Sequence, residues 1–466
     1  MRPPVHSQAA RSAKNTGDEQ VVHGTRVHVP GNVRSGAELM GDRLAMVVRS
    51  VPGRNRGALD YEDGVTIAEA ARTALDRRVP LVLVVSSSGA DVAGGIAAMH
   101  GWGLAAAGMA QCSGIVPVMA AVTGPAISGT ALMLGLADVV AMTPEAFAFV
   151  SGPDMVLEFT GIGIERAELG GTVVHATSSG LCALPAADPE HAMELLGEVL
   201  SYLPAHADER PPLIGTGDPG DRLTPELADV VPTEPTASYD VRRVAEAILD
   251  DAELLELGAQ WAPQMVTAIG SIGGMPVGVV ANQPRALAGT LDIVASQKGA
   301  RFVRMCDAFN LPIVTFVDTP GFLPGKDLEW RGMIRHGAEL AFAYAEASVP
   351  RVCVILRKAY GGAYIVLDSK GVGNDLCLAW PSAEVAVMGS RGAVQILNRR
   401  ADKADLARLE AEYSDQYLTP WLAAERGFVD AVIEPAETRR VVHRALVALA
   451  SRRESLPARR HDNGPL

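Results

Sequence analysis

The sequence predicts an α/β protein in which one strand–turn–helix unit is used twice, and three observations carry that prediction. Late in the chain, apolar runs at residues 313–317 and 352–356 read as buried parallel strands. They end in glycine-bearing turns, Asp318-Thr319-Pro320-Gly321-Phe322 and Arg357-Lys358-Ala359-Tyr360-Gly361-Gly362-Ala363-Tyr364. The same order occurs earlier, where residues 81–85 meet Ser86-Ser87-Ser88-Gly89-Ala90-Asp91 and residues 116–122 meet Thr123-Gly124-Pro125-Ala126-Ile127-Ser128-Gly129. Pro80 and Pro312 are 232 residues apart, and Pro117 and Pro350 are 233 apart, so the register of the repeat is nearly constant.

Taken in order, residues 1–40 are polar, rich in Gly, Ser, Arg and His, and without periodicity, which predicts a largely disordered tail. The tail has no apolar segment of the signal-peptide kind. The first unit spans 41–204. Within it, the stretch 112–137 lacks charge over a length that could cross a membrane. Pro117, Gly124, Pro125 and Gly129 divide it into a strand, a turn and a buried helix, so no membrane partner is expected. Residues 205–238 read as a linker, with Pro211-Pro212 and the turn cluster Gly215-Thr216-Gly217-Asp218-Pro219-Gly220.

The second unit spans 239–466. Asp240 is placed to cap a helix running through Leu249. Leu291, Ala295, Phe302, Cys306 and Phe309 recur at helical spacing ahead of the 313 strand, giving a helix with one buried face. A further helix, 334–348, joins the two turns, and a connection of that length makes the flanking strands parallel. A last strand is expected at 384–388, followed by helices and a basic, proline-containing tail.

With 466 residues, 48% apolar and 20% charged, the chain exceeds the size at which a single core usually stops growing, so two domains are expected. A net charge of −13 without a dense basic run argues against a nucleic-acid partner. The five cysteines (112, 182, 306, 353 and 377) include no Cys-x-x-Cys pair. Neither a zinc ribbon nor a disulfide framework is indicated, and a reducing cytoplasm fits.

Glycine at a strand-to-helix turn lets main-chain N–H groups face a ligand that a Cβ would obstruct. Two such turns side by side supply two converging donors, an oxyanion hole for charge developing on a thioester carbonyl or a similar group. The helix after Gly362 adds its positive end. Other candidates carry less. His175 and His336 sit beside glycines and read as packing residues rather than acid–base groups. Gly161-Ile162-Gly163 lacks the third glycine of a dinucleotide loop. Arg399, Arg400, Glu410 and Glu412 read as a solvated helix face, and no metal cluster emerges.

Residues 317–325, Ile334-Arg335-His336-Gly337-Ala338, Arg357 to Tyr364 and Ala379-Trp380-Pro381-Ser382-Ala383-Glu384 resemble the carboxyltransferase β subunits of biotin-dependent acyl-CoA carboxylases, the acetyl/propionyl-CoA carboxylase type. Supporting blocks are Ala281-Asn282-Gln283-Pro284, Leu169-Gly170-Gly171, Ala424-Glu425-Arg426-Gly427 and the terminal Asn463-Gly464-Pro465-Leu466. The resemblance covers roughly 45–466 and implies two tandem crotonase-like domains. It implies that carboxybiotin, brought by a biotin carboxylase/biotin carrier partner, gives up CO2 to the α-carbon of a coenzyme A thioester by way of an enolate. The C-terminal hole for the biotin ureido oxygen would be Gly321-Phe322 with Gly362-Ala363, and the N-terminal hole for the thioester Gly89-Ala90 with Ser128-Gly129. Ser88, Asp91, Tyr364 and Ile365 would touch substrate, and apolar Ile365 implies acetyl to butyryl thioesters or longer. The family architecture implies a hexamer, a trimer of dimers.

The first unit departs from the family, which usually reads Asp-Ser-Gly-Gly-Ala-Arg where this chain has Ser86 to Asp91, and Gly-Gly at Ser128-Gly129. A biotin-independent decarboxylase or acyl-thioester transferase, or a non-catalytic scaffold subunit, are therefore the alternatives. The chain contains no Met-Lys dipeptide, so biotin must arrive on another polypeptide.

Overall fold

The computed structural model describes residues 31–51 and 54–465. Two sheets hold the strands. The first contains β1 (Val33–Met40), β2 (Arg43–Ser50), β3 (Leu81–Ser87), β4 (Val118–Ile127), β5 (Val139–Met142), β6 (Phe147–Phe149) and β7 (Leu184–Pro185). Its order is β1-β2-β3-β4-β5-β7, with β6 also on β4. The second contains β8 (Leu255–Glu256), β9 (Met265–Ile272), β10 (Met275–Asn282), β11 (Ile313–Thr319), β12 (Arg351–Tyr360), β13 (Leu376–Ala379), β14 (Glu384–Ala386) and β15 (Ala431–Val432). Its order is β15-β13-β12-β11-β10-β9-β8, with β14 on β12. Each sheet opens on an antiparallel hairpin and continues in parallel.

Side-chain alternation sorts each strand between two cores. In β2, Ala45 and Val47 face one cluster while Met46 and Val48 face another; in β3, Val82 lies opposite to Leu81 and Leu83. The cluster containing Val82 and Ala121 is continuous with Ile269, Ile313 and Ile355 of the second sheet, so the two sheets share a central core. Leu196, Val199, Leu200 and Leu203, from helix Pro189–Tyr202 and its end, lie in it fully buried. The helical face at Leu291, Ala295, Phe302, Cys306 and Phe309 is buried as its spacing predicts, on helix Ile293–Ala308 capped by Asp292.

Three expectations change. The expected disordered tail ends earlier, because Val33 to Met40 pair residue for residue with Arg43 to Ser50; residues 1–30 lie outside the described residues. Polar outward positions hid this edge strand, whose ends Val33 and Met40 are nevertheless buried. The 205–238 segment is packed rather than a loose tether: Thr224 and Leu227 are fully buried and the Thr224 N–H bonds Ala436 O. Arg439, also fully buried, donates to the carbonyls of Asp218, Pro219 and Ile248 and pairs with Asp250. Finally, the strand at 384 is short and is not the last, since β15 follows it and pairs with β13. No helix among the described residues is long and apolar enough to cross a membrane, and the 112–137 stretch forms β4 and the short helix Gly129–Leu134.

Candidate active site

The site begins with a defect shared by both sheets. β3 and β4 pair regularly up to Val85 with Val122, and then Ser87 pairs with Ala126. β11 and β12 do the same, from Val317 with Ile355 to Thr319 with Ala359. One residue on the inner strand thus faces three on its neighbour, and the strand ends are thrown forward into the two glycine turns.

The turns repeat bond for bond. Leu59 donates its N–H to Gly89 O and accepts from Asp91; Leu291 donates to Gly321 O and accepts from Leu323. Ser87 Oγ accepts the Gly89 N–H at 3.2 Å, and Thr319 Oγ1 accepts that of Gly321 at 3.4 Å. Gly57 and Gly289 hold positive φ (76° and 73°), and a Cβ on either would stand 2.6 Å from the carbonyl oxygen of Ser86 or Asp318, which explains why both positions are glycine. Ser128 and Gly361, at φ 58° and 60°, open the helices Gly129–Leu134 and Gly361–Val366.

This pattern decides which amides are available. Among the described residues, the N–H groups of Ala90, Gly129, Phe322 and Gly362 have no protein acceptor. Three other candidates are corrected: Gly89 and Gly321 donate to the preceding hydroxyls, and the Ser128 N–H bonds Phe149 O at 2.9 Å. The constant offset also pairs Ser128-Gly129 with Gly361-Gly362 rather than with Gly362-Ala363; Ala363, fully buried, stands where the first repeat has Thr130.

Around the N-terminal turn, Ser88 Oγ donates to Asn55 O, and Asp91 caps residues 92–94 while accepting from Asn55 Nδ2. Both side chains are thus partly spent on fixing the loop at 55–57. Trp102 Nε1 donates to Gly129 O at 2.8 Å and sets the start of its helix.

At the C-terminal turn two apolar clefts meet. One, of about 480 Å³, is lined by Gly362, Ile365, Val385, Tyr413, Tyr417 and Phe428; the other, of about 460 Å³, by Phe322, Met333, Ile334, Gly362 and Ile365. Ile365, 47% exposed, is common to both. Tyr364 is corrected in part: its ring reaches the first cleft, but its hydroxyl is buried 3.8 Å from Cys377 Sγ. Burial pushes that phenol far above its ordinary range, so it is no acid at neutral pH. Nearby, Tyr360 donates its hydroxyl to Glu384, whose carboxyl burial pushes up.

The two candidate histidines are both hydrogen-bonded within the protein. His175 bridges Ser179 Oγ and Ala148 O, and His336 contacts Gln297 and Glu339. Among the described residues no group of three or more His, Cys, Asp or Glu side chains could hold a metal. Sequence reasoning missed the unequal use of the eight amides and the cleft wall from residues 413–428, which comes from elements far along the chain.

Residues 41–464 match the carboxyl transferase domain family. The chain belongs to that family. Its type is that of the carboxyltransferase β subunits of acyl-CoA carboxylases, and its two sheets are the family's tandem crotonase-like domains. The propionyl-CoA carboxylase beta chain of Saccharopolyspora erythraea is 43% identical, over 88% of this chain and 79% of the relative. The methylmalonyl-CoA decarboxylase subunit alpha of Veillonella parvula is 38% identical, over 88% and 80%. A solved transcarboxylase 12S hexamer, with methylmalonyl-coenzyme A bound, superposes with a TM-score of 0.91 at 38% identity, covering 93% of this chain and 85% of that one.

Proposed function

We propose that this chain is the carboxyltransferase subunit that moves a carboxyl group from carboxybiotin, carried on a separate biotin carboxylase/biotin carrier polypeptide, to the α-carbon of a short acyl-CoA thioester. The observation that carries the reading is the matched pair of turns in each repeat, which together present two main-chain donors without an acceptor among the described residues. Ala90 and Gly129 would donate to the thioester oxygen as the α-proton leaves, so that enolate charge is held by fixed dipoles. Phe322 and Gly362 would hold the ureido oxygen of biotin, with the helix beginning at Gly361 adding its positive end. The donor set fits that group, since an anionic ureido oxygen needs two converging N–H donors and an apolar surround, and both clefts are mainly apolar. Carboxybiotin supplies the CO2 and the base; the chain's own part is to orient, to desolvate and to stabilise charge.

Ile365 between the clefts favours apolar acyl groups, acetyl to butyryl or longer. Comparing acetyl-CoA and propionyl-CoA rates for Ile365→Asp tests this, and an unmoved preference would contradict it. The similar solved structure is a hexamer, which supports a hexamer here; we take it as a trimer of dimers, with each active site formed by the first domain (41–204) of one chain facing the second (239–466) of its neighbour. All five cysteines are free thiols, in keeping with a reducing cytoplasm.

The decisive assay supplies a biotinylated carrier and an acyl-CoA. Transfer that avidin abolishes supports the proposal. A second reading is motivated by Ser88 and Asp91: turnover of malonyl-CoA that survives avidin and needs no biotinylated protein would establish a biotin-independent decarboxylase instead.

A further inference from the structure

The two repeats solve the same strand defect with different chemistry. In the first, the inner residue is Ser86, and opposite it stand Thr123, Gly124 and Pro125. Gly124 lets the strands close up, since a Cβ there would lie 2.4 Å from Ser86 Oγ, and Pro125 has no N–H to satisfy. In the second, these positions are Asp318, opposite Leu356, Arg357 and Lys358. Asp318 Oδ1 accepts the Lys358 N–H at 3.1 Å and Oδ2 accepts from Arg357 Nε at 3.1 Å, with Nη2 of the ion pair also 3.1 Å from Oδ2. Arg357 Nη1 donates to the carbonyls of Glu234 (3.3 Å) and Ala237 (2.9 Å), Lys358 Nζ to Pro235 O at 2.6 Å, and the guanidinium lies 5.2 Å from the centre of the Tyr239 ring. Asp318 and Arg357 are 1% and 7% exposed.

The first repeat shows that the fold needs no ion pair at this defect. A buried pair is also a poor source of stability, because desolvation offsets most of the attraction. With one Asp318 oxygen on the Lys358 N–H and the other on Arg357 Nε, the charge-assisted contacts instead fix distance and angle. Asp318 stands three residues before Gly321 and Arg357 four before Gly361, so the pair spans the bases of both turns. We infer that Asp318 and Arg357 are positioning residues that set the separation of the Phe322 and Gly362 amides and lock the 234–239 segment behind them. This deepens the assignment of the second repeat to the biotin side, on which it rests.

The test uses the full chain with Arg357→Lys, Asp318→Asn and a triple exchange, Asp318→Ser with Arg357→Gly and Lys358→Pro, which transplants the first repeat's solution. Transfer from a biotinylated carrier should fall on the order of 30- to 100-fold in Asp318→Asn and the triple exchange, as expected for ~1 Å displacement of a catalytic group. Arg357→Lys should fall less, and acyl-CoA affinity by calorimetry should stay within about twofold. Hydrogen exchange should quicken over 318–323 in every variant, and at the Lys358 amide in the two single variants that retain it, but not over 86–91. Folded variants with unchanged exchange and rates within about threefold would overturn the inference, as would acyl-CoA affinity falling in step with rate, which marks a general structural role. If the parent chain transfers nothing from the carrier, the proposed function fails by itself, and hydrogen exchange alone decides the positioning role.

Discussion

Gly129→Ala tests the thioester-side donors against a specific obstacle. A Cβ added at Gly129 would stand 2.6 Å from Trp102 Cδ1 and 2.8 Å from Nε1. Relieving that to ordinary contact near 3.5 Å requires a shift of about 1 Å. The indole cannot simply swing away, because its Nε1 is hydrogen-bonded to Gly129 O, so the helix start moves with it. Oxyanion donors work only within a few tenths of an ångström, and losing one costs on the order of 10²- to 10³-fold, or ~3 to 4 kcal/mol. Biotin-dependent decarboxylation of malonyl-CoA should therefore drop about 100-fold, with acyl-CoA binding far less affected. Adding Trp102→Val opens the space and should recover about tenfold. Gly129→Ala activity within threefold of the parent, or no recovery in the double variant, would refute the placement of this donor.

Further perturbations separate backbone, packing and charge. Gly362→Ala, whose Cβ would meet only Phe322 Cε2 at 3.6 Å within the protein, should stabilise its helix by ~0.5 kcal/mol, read by urea unfolding. Ser128→Gly relieves a positive-φ serine; strain of ~1 to 2 kcal/mol, less ~0.5 to 1 kcal/mol of added unfolded-state freedom, gives a net gain of up to about 1.5 kcal/mol in the same measurement. Arg439→Met leaves Asp250 buried without its cation and should cost ~3 to 5 kcal/mol, seen as a lowered melting temperature. Burial lowers Lys298 to about 8 from its usual 10.5, while its ammonium donates to Gly258 O and Trp261 O. Between those values the unfolded chain binds more protons than the folded one, so this residue makes stability rise with pH across that window. Lys298→Met should flatten the slope in unfolding titrations from pH 8 to 10.5.

Much of the site's backbone was legible in the sequence because strand and turn carry strong local signals. The 232-residue offset, seen first in Pro80 and Pro312, also relates β1 to β9, β2 to β10, Asp60 to Asp292 as helix caps, and Gly57 to Gly289. The strands at 81 and 313 were placed to within two residues of their ends, since short runs rich in β-branched and apolar residues, each preceded by proline, admit few other readings. What stayed hidden depends on distant partners. That Ser128 spends its N–H on Phe149 O, while Gly129 does not, is settled by a strand 20 residues away. β1 and β15 were missed because edge strands are defined by the neighbour they find more than by their own composition.

The repeats also show where side chains, rather than backbone, were free to diverge. Both turns bind their own Gly89 or Gly321 amide through a hydroxyl, Ser87 or Thr319, two residues earlier. Both leave the next amide, Ala90 or Phe322, without an acceptor among the described residues. A hydroxyl at that point turns one N–H inward and thereby aims the following one outward. The main-chain geometry is thus retained twice, whereas its surroundings differ: Trp102 on one helix start, Ile365 and two apolar clefts at the other. If main-chain donors carry the chemistry, exchanging the hydroxyls should matter more than exchanging the histidines. Ser87→Ala and Thr319→Val, which free the wrong amide, should each cost on the order of tenfold or more in transfer, while His336→Gln should stay within about threefold. Inactivation by His336→Gln in a folded protein would return the chemistry to side chains and undo the reading of both turns.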